Sequence, residues 1–346
     1  MPPEPEMRVV GVAPGGGSGA LHIATAPRPS CDGGSLRVRV RAAALNHADL
    51  YQRDGSWPAP EDAPDTLGVE VAGIVETADA GGRFGSGDAV MGLVAGGGYA
   101  EYACLDPGLA APVPPGMSFA EAVSLPEAIL VGHGNLVELG GLQPGERVLI
   151  QGGASGMGSI GLQMAALLGA RVATTTGDMS KAGHLADLGA EAVFDRHSDD
   201  LPTALRLWAG GGLDLIVDIA GADSLSTHID LLADRGRLIL MGVMSGTIVD
   251  GLDIDPILLK RLRIMGTVLR PTPLSEKREL ARAAFARWLP ELRSGRLRPV
   301  LHAVHPMQDV RLAHDQLEAG RHVGKIVLDI NGASEVPGAD AKRLAS

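Results

Sequence analysis

The sequence predicts an α/β protein of two domains, a partly closed β-barrel and a doubly wound parallel sheet of six strands with helices on both faces. Three observations carry this. Residues 148–164, Val-Leu-Ile-Gln-Gly-Gly-Ala-Ser-Gly-Met-Gly-Ser-Ile-Gly-Leu-Gln-Met, pass from a short apolar run through glycines into helical spacing, which reads as strand, tight turn and helix. From there to Leu269, strand signals alternate with helical ones, as parallel βα units require. Ahead of them, short strands are broken by Gly and Pro turns, as in a small barrel. A chain of 346 residues is too long for one ordinary core. We therefore expect one discontinuous domain at 1–122 and 270–346, and a second at 123–269.

In order, residues 1–6 read as a polar extension, Met7–Val12 as a strand, Pro14–Gly19 as a loop and Leu21–Thr25 as the return. Leu36–Val40 alternates apolar and basic residues, so one face is buried and one wet. Asn46 is placed to cap a short helix that Gly55 closes. Leu67–Val75 is a strand, Gly85–Gly92 leads from a turn into another, and the proline-rich stretch Pro107–Pro115 brings the barrel to its end near Ser118. Phe119–Leu139 is helical in outline.

In the second domain Val148, Leu149 and Ile150 form the continuous apolar run of a strand covered on both faces. Ile160, Met164 and Leu168 recur at helical spacing after the turn. Further strands are expected at Arg171–Thr175, Ala192–Phe194, Leu213–Ile219, Arg237–Met241 and Ile264–Leu269, with helical segments such as Lys181–Leu188 and Leu225–Ala233 between them. An amphipathic helix (Glu276–Leu292), a strand (Val300–Val304), a helix (Met307–Ala319) and a last strand (Lys325–Ile330) follow. They are too few for a third core, so the tail is expected to complete the first domain. Asn331–Ser346 is small and polar and is expected to be disordered.

The net charge of −11, without any Lys/Arg-rich run, argues against nucleic acid and anionic membrane as partners. No stretch of about 18 apolar residues could span a bilayer. Cys31 and Cys104 offer neither a disulfide framework nor a zinc-ligand spacing, and a cytoplasmic, reduced protein is the expectation.

The turn itself has the spacing Gly153-x-x-Gly156-x-Gly158. Glycines there let backbone approach an anion at the positive end of the following helix, and a dinucleotide pyrophosphate suits that place. On this reading Gly153, Ala154, Ser155, Gly156, Met157 and Gly158 bind the cofactor. The other reading is that the glycines only relieve helix-on-strand packing.

Several stretches together resemble the medium-chain dehydrogenase/reductase superfamily, and within it the zinc-free, zeta-crystallin-like NADPH:quinone oxidoreductases. They are Ala44-Leu45-Asn46-x-Ala48-Asp49-Leu50, Leu67-Gly68-x-Glu70-x-x-Gly73, Gly87-Asp88-x-Val90, Gly96-Gly97-Gly98-x-Ala100-x-Tyr102, Pro126-Glu127-Ala128, Gly266-Thr267-x-Leu269-Arg270 and Gly324-Lys325-Ile326-Val327-Leu328. The resemblance implies a GroES-like barrel domain that carries the catalytic residues and a Rossmann domain for the cofactor. Asn46 stands where the family has an Asn near the nicotinamide ribose. Zinc-dependent relatives have a metal-binding Cys there and a His where this chain has Val69, so the resemblance implies no metal and no zinc cofactor.

Tyr51 matches a Tyr that lines the active site in many members. Its hydroxyl could meet an oxygen that gains charge as hydride arrives, or its ring could simply pack. With Asn46 it is the candidate catalytic residue, and Tyr51, Trp57 and His133 are the candidate substrate pocket. Val131 stands where a Thr beside the nicotinamide is usual. At the end of the second parallel strand an NAD site would place Asp or Glu; here Thr176 and Gly177 stand instead. Lys181 matches a Lys near the 2′-phosphate, and Arg196 supplies a second cation, which favours NADPH over NADH. Asp178 is a contrary sign. Gly242, Val243, Leu269 and Arg270 run along the nicotinamide half in the family, and Lys325 is its C-terminal Lys near the cofactor.

These features imply an NADPH-dependent, zinc-free reductase of a quinone or α,β-unsaturated carbonyl. The alternatives are an enoyl or enone reductase of a biosynthetic pathway and a non-catalytic NADPH-binding sensor. The resemblance also implies a homodimer paired through the edge strand at Arg263–Val268.

Overall fold

The structure, a computed structural model, describes residues 5–31, 34–61, 63–78 and 80–338. The start of the polar extension, 1–4, and the end of the tail, 339–346, lie outside the described residues. The chain divides into two compact units, one running up to Glu127 and resuming at Pro273, the other Ala128–Thr272.

The first stretch builds β1 (Glu6–Val12), β2 (Leu21–Pro27), β3 (Leu36–Ala44), β4 (Glu70–Thr77), β5 (Ala89–Leu93), β6 (Tyr102–Leu105) and β7 (Ala110–Pro112). The second unit holds β8 (Arg147–Ile150), β9 (Arg171–Thr176), β10 (Ala192–Asp195), β11 (Leu213–Asp218), β12 (Leu232–Leu240) and β13 (Arg263–Gly266). The returning stretch adds β14 (Leu301–Pro306) and β15 (Lys325–Asp329).

In the first unit β3 is the organising strand. Leu36, Val38 and Val40 are buried while the arginines between them are not, the period-two pattern of a half-buried strand. One edge of β3 pairs with β4. The other is shared by β6 along Leu36–Arg39 and by β15 along Ala42–Ala44. The returning tail is thereby hydrogen-bonded into the sheet, whose order is β14-β15-β3-β4-β5-β7. β1 and β2 pair with each other separately, and a bridge from Val9 to Ala100 ties β1 to the segment just before β6.

Three local expectations are corrected. The strand expected from Leu67 begins at Glu70, because Gly68 has φ +96° and a Cβ there would lie 2.7 Å from Tyr99 N. The helical outline of Phe119–Leu139 is broken into helices Phe119–Val123 and Pro126–His133 and a π-turn at Gly134–Leu139; Pro126 has no N–H with which to continue the first helix. The tail after β15 is ordered as far as it is described: Asp329 Oδ1 accepts from Gly332 and Ala333 N, and Ala333 and Glu335 carbonyls accept from Ala120 and Phe119 N.

A fourth correction concerns the cysteines. Cys31 and Cys104 are joined by a disulfide, their Cα atoms 5.5 Å apart. Pairing of β6 on β3 sets Cys104 opposite Arg37, beside the segment that leads into β3. A separation of 73 residues gives no hint of this.

The second unit is a six-stranded parallel sheet in the order β10-β9-β8-β11-β12-β13. The chain winds outward from β8 in one direction, then returns to begin at β11 and winds the other way. Such a reversal opens a crevice beyond the carboxyl ends of β8 and β11. Leu149, Ile216, Leu238 and Ala173 are fully buried in this sheet, packed with Leu205 and Ile229 from its helices. The fold is therefore a GroES-like domain and a Rossmann domain. Among the described residues no helix is long and apolar enough to cross a membrane.

Candidate functional site

The glycine turn lies at the carboxyl end of β8, on the crevice side of the sheet. Helix Gly156–Leu167 is capped by Ser155, whose Oγ accepts from Gly158 N at 2.9 Å. Its first turn presents the Gly156 and Met157 N–H groups, as helix N-termini do. A Cβ on Gly158 would lie 2.3 Å from Gly152 O, and one on Gly153 2.3 Å from Thr174 Oγ1, whose hydroxyl donates to Ile150 O at 2.6 Å. Two glycines are thus required by packing. The backbone they compact, with Ala154 between, leads directly into the N-terminus of the Ser155-capped helix.

At the end of β9, Thr176 Oγ1 bonds within its own turn, with Asp178 N and O. The Asp178 carboxylate is engaged by Ser180: Oδ1 accepts from Ser180 N at 3.0 Å and Ser180 Oγ at 2.6 Å, which hold it below the usual carboxylate range. Arg196 is tied back by its N–H to Thr176 O at 2.9 Å. Its guanidinium lies over Gly177, where a Cβ would meet Nε at 2.7 Å. Burial holds the Lys181 ammonium below its ordinary value; Asp178 opposes this and the Arg196 charge adds to it. Two cations therefore neighbour the end of β9; of the acids there, Asp178 is engaged by Ser180, and Asp195, paired opposite Thr176, accepts from His197 N at 2.9 Å.

Elsewhere in this unit Gly242 approaches Ile219, where a Cβ would lie 2.6 Å from its carbonyl oxygen. Val243 is exposed and Leu269 and Arg270 are half-buried. Val131 and His133 share helix Pro126–His133. His133 is buried, with Nε2 3.8 Å from Glu138 Oε1.

In the first unit helix His47–Arg53 places Asn46, Tyr51 and, past Gly55, Trp57. Tyr51 and Trp57 are both exposed and adjacent, since Trp57 N donates to Tyr51 O at 3.2 Å. Asp49 caps the helix with its carboxylate, taking Asn46 N at 2.8 Å. The Asn46 amide is used elsewhere: Nδ2 donates to Glu70 Oε1 at 2.9 Å, and Oδ1 accepts from Lys325 Nζ. Lys325 also donates to Glu70 Oε1 and, at 3.3 Å, to Glu127 Oε2. Glu70 Oε2 takes the Glu127 N–H at 3.0 Å.

The result is a buried charge cluster of one ammonium among carboxylates, with Asn46 fixed at its edge. Burial, together with the Glu70 and Asp49 charges, pushes the Glu127 carboxyl up to about 7 against the pull of Lys325. Burial raises Asp49 to about 6 although Asn46 N, Tyr99 OH and Gly68 N all donate to it. Burial alone would lower Lys325, but Glu70 and Glu127 hold it above its ordinary value. Among the described residues no group of three or more His, Cys, Asp or Glu side chains could hold a metal ion.

The sequence reading gave Glu70 and Glu127 no role. The signal was present: an acid in the middle of Leu67-Gly-Val-Glu-Val-Ala-Gly-Ile-Val is a charge where a buried strand has no use for one, so a partner must exist.

Next to the cluster lies His314, fully buried, its ring edge-on to Tyr99 at 5.9 Å and both ring nitrogens without a hydrogen bond. Burial and the Arg53 charge lower it from 6.5 to about 4, with Asp315 and Asp54 opposing. A base whose folded value is depressed contributes stability above its unfolded value that is lost as pH falls toward the folded one. Between pH 6.5 and about 4 the native chain should therefore lose about 3 kcal/mol relative to a His314→Phe variant. Denaturant titrations of both proteins across that range check this, and a pH-independent difference would contradict it.

Comparison with known proteins follows the same division. Residues 32–115 match the alcohol dehydrogenase GroES-like domain, and residues 156–285 match a domain described as zinc-binding dehydrogenase. The chain is 28% identical over 320 residues to a phenolphthiocerol/phthiocerol polyketide synthase of Mycobacterium tuberculosis, covering 90% of this chain but only 14% of that much longer protein. It is 27% identical to human quinone oxidoreductase over 297 residues, 84% of this chain and 88% of that one. A mycobacterial protein solved in complex with NADPH superposes with a TM-score of 0.84 at 29% identity, over 94% of this chain and 100% of the other.

Proposed function

We propose that this chain, which belongs to the medium-chain dehydrogenase/reductase superfamily and resembles its quinone oxidoreductases, is an NADPH-dependent reductase that needs no metal. Its substrate on this reading is a quinone or an α,β-unsaturated carbonyl. The observation that carries the cofactor choice is the end of β9, where Thr176 replaces an acid, Lys181 and Arg196 bring two cations, and Asp178 is turned onto Ser180. Human quinone oxidoreductase and the NADPH-bound mycobacterial neighbour support the same reading.

NADPH would supply the hydride; the chain's residues bind and orient. The Ser155-capped helix and Gly153–Gly158 hold the pyrophosphate, and Gly177, Lys181 and Arg196 the 2′-phosphate. Val131, Gly242, Val243, Leu269 and Arg270 are assigned to the nicotinamide half, and Asn46 to its ribose. Lys325 acts here through Asn46, whose amide it holds with Glu70. The Tyr51 hydroxyl hydrogen-bonds the oxygen of a product anion that is already delocalised, an enolate or a hydroquinone anion, and solvent supplies the proton. Trp57 and His133 remain candidates for the pocket walls.

Titration of NADPH and NADH by fluorescence tests the cofactor choice. NADPH is expected to bind at least about tenfold tighter, a difference of ~1.4 kcal/mol; equal binding would overturn it. A second reading, an enoyl reductase, is favoured by the similarity to part of a polyketide synthase. Turnover of enoyl thioesters in preference to quinones would select it.

We also assign a homodimer to the free edge of the parallel sheet. Among the described residues β13 has one neighbour, β12, and Ile264, Val268, Leu258 and Leu259 are exposed in and near it. An uncovered apolar edge of this kind invites pairing. Light scattering should show a dimer at micromolar concentration and a monomer for Ile264→Lys; a monomeric wild type would remove the assignment. We place the enzyme in the cytoplasm, where the glutathione pool would act to reduce the Cys31–Cys104 bond.

A further inference from the structure

At the crevice side of the parallel sheet lies a partly buried polar chain to which the proposed function gives no task. Gln151 follows β8 and Asp218 ends β11, the neighbouring strands at which the winding reverses. Gln151 Oε1 accepts the N–H groups of Ile219 at 3.2 Å and Ala220 at 3.4 Å. Its Nε2 therefore faces His228 Nε2, 3.2 Å away. An amide nitrogen only donates, so this ring nitrogen accepts and the network assigns the ring proton to Nδ1. Nδ1 donates in turn to Asp218 Oδ2 at 2.7 Å.

The carboxylate is filled by Ser224 Oγ at 2.8 Å on the same oxygen and by Ala220 and Gly221 N at 2.6 and 3.0 Å on the other. Asp218 and His228 are both buried. Only one arrangement of protons satisfies all these groups. A second proton on His228 would set two donors face to face, and turning the Gln151 amide over to meet it would strip Ile219 N of its acceptor, while Ala220 N would keep Asp218 Oδ1.

The groups so joined are those that border the crevice. Gln151 opens the glycine turn, and its neighbour Gly152 packs on Ile219, where a Cβ would lie 2.6 Å from Cδ1. On the far side Gly242 abuts Ile219 O, and Ser245 N donates to Ala220 O at 2.8 Å. The 219–221 segment is thus wedged between the turn assigned to the pyrophosphate and the loop assigned to the nicotinamide.

We propose that Gln151 and His228 are positioning residues for the dinucleotide. The Nδ1–H form of His228, anchored on Asp218, fixes the Gln151 amide, and that amide clamps the glycine turn to the 219–221 segment so that both halves of the cofactor meet a preformed backbone. This rests on the nucleotide-binding reading of the turn. Because the clamp ties the glycine turn to the 219–221 segment and not to the side chains of Lys181 and Arg196, it governs NADPH and NADH alike.

Three variants separate the links. In His228→Gln the side-chain oxygen can stand in the place of Nε2 and still accept from Gln151. In His228→Asn the side chain reaches only the place of Nδ1, so Asp218 keeps its donor while Gln151 loses its acceptor. Gln151→Leu removes the clamp altogether. Fluorescence titration should show NADPH and NADH both weakened about tenfold or more in His228→Asn and Gln151→Leu, with their ratio unchanged, and His228→Gln within about threefold of wild type. Hydrogen exchange on the cofactor-free proteins gives an independent readout: the Ile219 amide, whose acceptor is Gln151 Oε1, should be protected in wild type and His228→Gln and exposed in the other two, while the Ala220 amide, held by Asp218 Oδ1, stays protected in all four. Thermal melts establish that each variant is folded. Wild-type affinity and a protected Ile219 amide in folded Gln151→Leu and His228→Asn would overturn the inference alone, whereas a wild type that binds neither dinucleotide would overturn the nucleotide reading and this inference with it.

Discussion

Replacing Lys325 by Met is expected to cost the protein about 3–5 kcal/mol of stability, as removal of one partner of a buried ion pair does. The reason is the arithmetic of the cluster. Lys325 is the cation shared by Glu70, which is wholly buried, and by Glu127, and no solvent reaches Glu70 to replace it. A Met side chain fills much the same volume, so the loss reports charge rather than a cavity. Pairing the change with Glu70→Gln should recover a large part of it, because an uncharged amide leaves no orphaned carboxylate. Denaturant unfolding of the single and double variants measures both; a Lys325→Met protein as stable as wild type would contradict the description of the cluster. The same experiment bears on function, since the ammonium and Glu70 together hold the Asn46 amide.

The second large effect is expected at the end of β9. Lys181→Ala and Arg196→Ala should each weaken NADPH about tenfold, and the double variant about a hundredfold, or ~2.7 kcal/mol, while NADH binding stays within about twofold. Both side chains address the 2′-phosphate alone on this account, and an unesterified ribose hydroxyl has no charge for them to meet. Asp178→Asn should change neither affinity, because its carboxylate is engaged with Ser180. An NADH affinity that falls together with that for NADPH would place the two cations elsewhere on the cofactor or show them to be structural. A rise in NADPH affinity in Asp178→Asn would show that the acid does face the phosphate.

What the sequence made legible was local chemistry. The glycine turn announces itself because a strand, a turn and a helix are contiguous, and the packing demands on Gly153 and Gly158 act over a few residues or onto the next strand. The alternation of strands and helices from Val148 onward similarly needs only neighbouring residues to be read. The cluster around Lys325 was only half legible: Asn46 and Lys325 carried roles through the family resemblance, but Glu70 and Glu127 join them through β3–β4 pairing and the return of β15 to β3, contacts that no spacing encodes. The disulfide was hidden for the same reason. His228 and Gln151 carried no motif at all, since an Asp, a His and a Gln spread over 78 positions, 151 to 228, become one network only when β8 and β11 lie side by side.

The measurement that bears most directly on the central claim is NADPH consumption by the purified protein, followed by absorbance, on addition of 1,2-naphthoquinone and a panel of enones. The account predicts multiple turnovers with at least one of these acceptors, undiminished by prior treatment with a metal chelator, and little with NADH at the same concentration. Tight NADPH binding with no turnover of any quinone or enone would contradict it and leave a dinucleotide-binding protein that is not a reductase of these compounds.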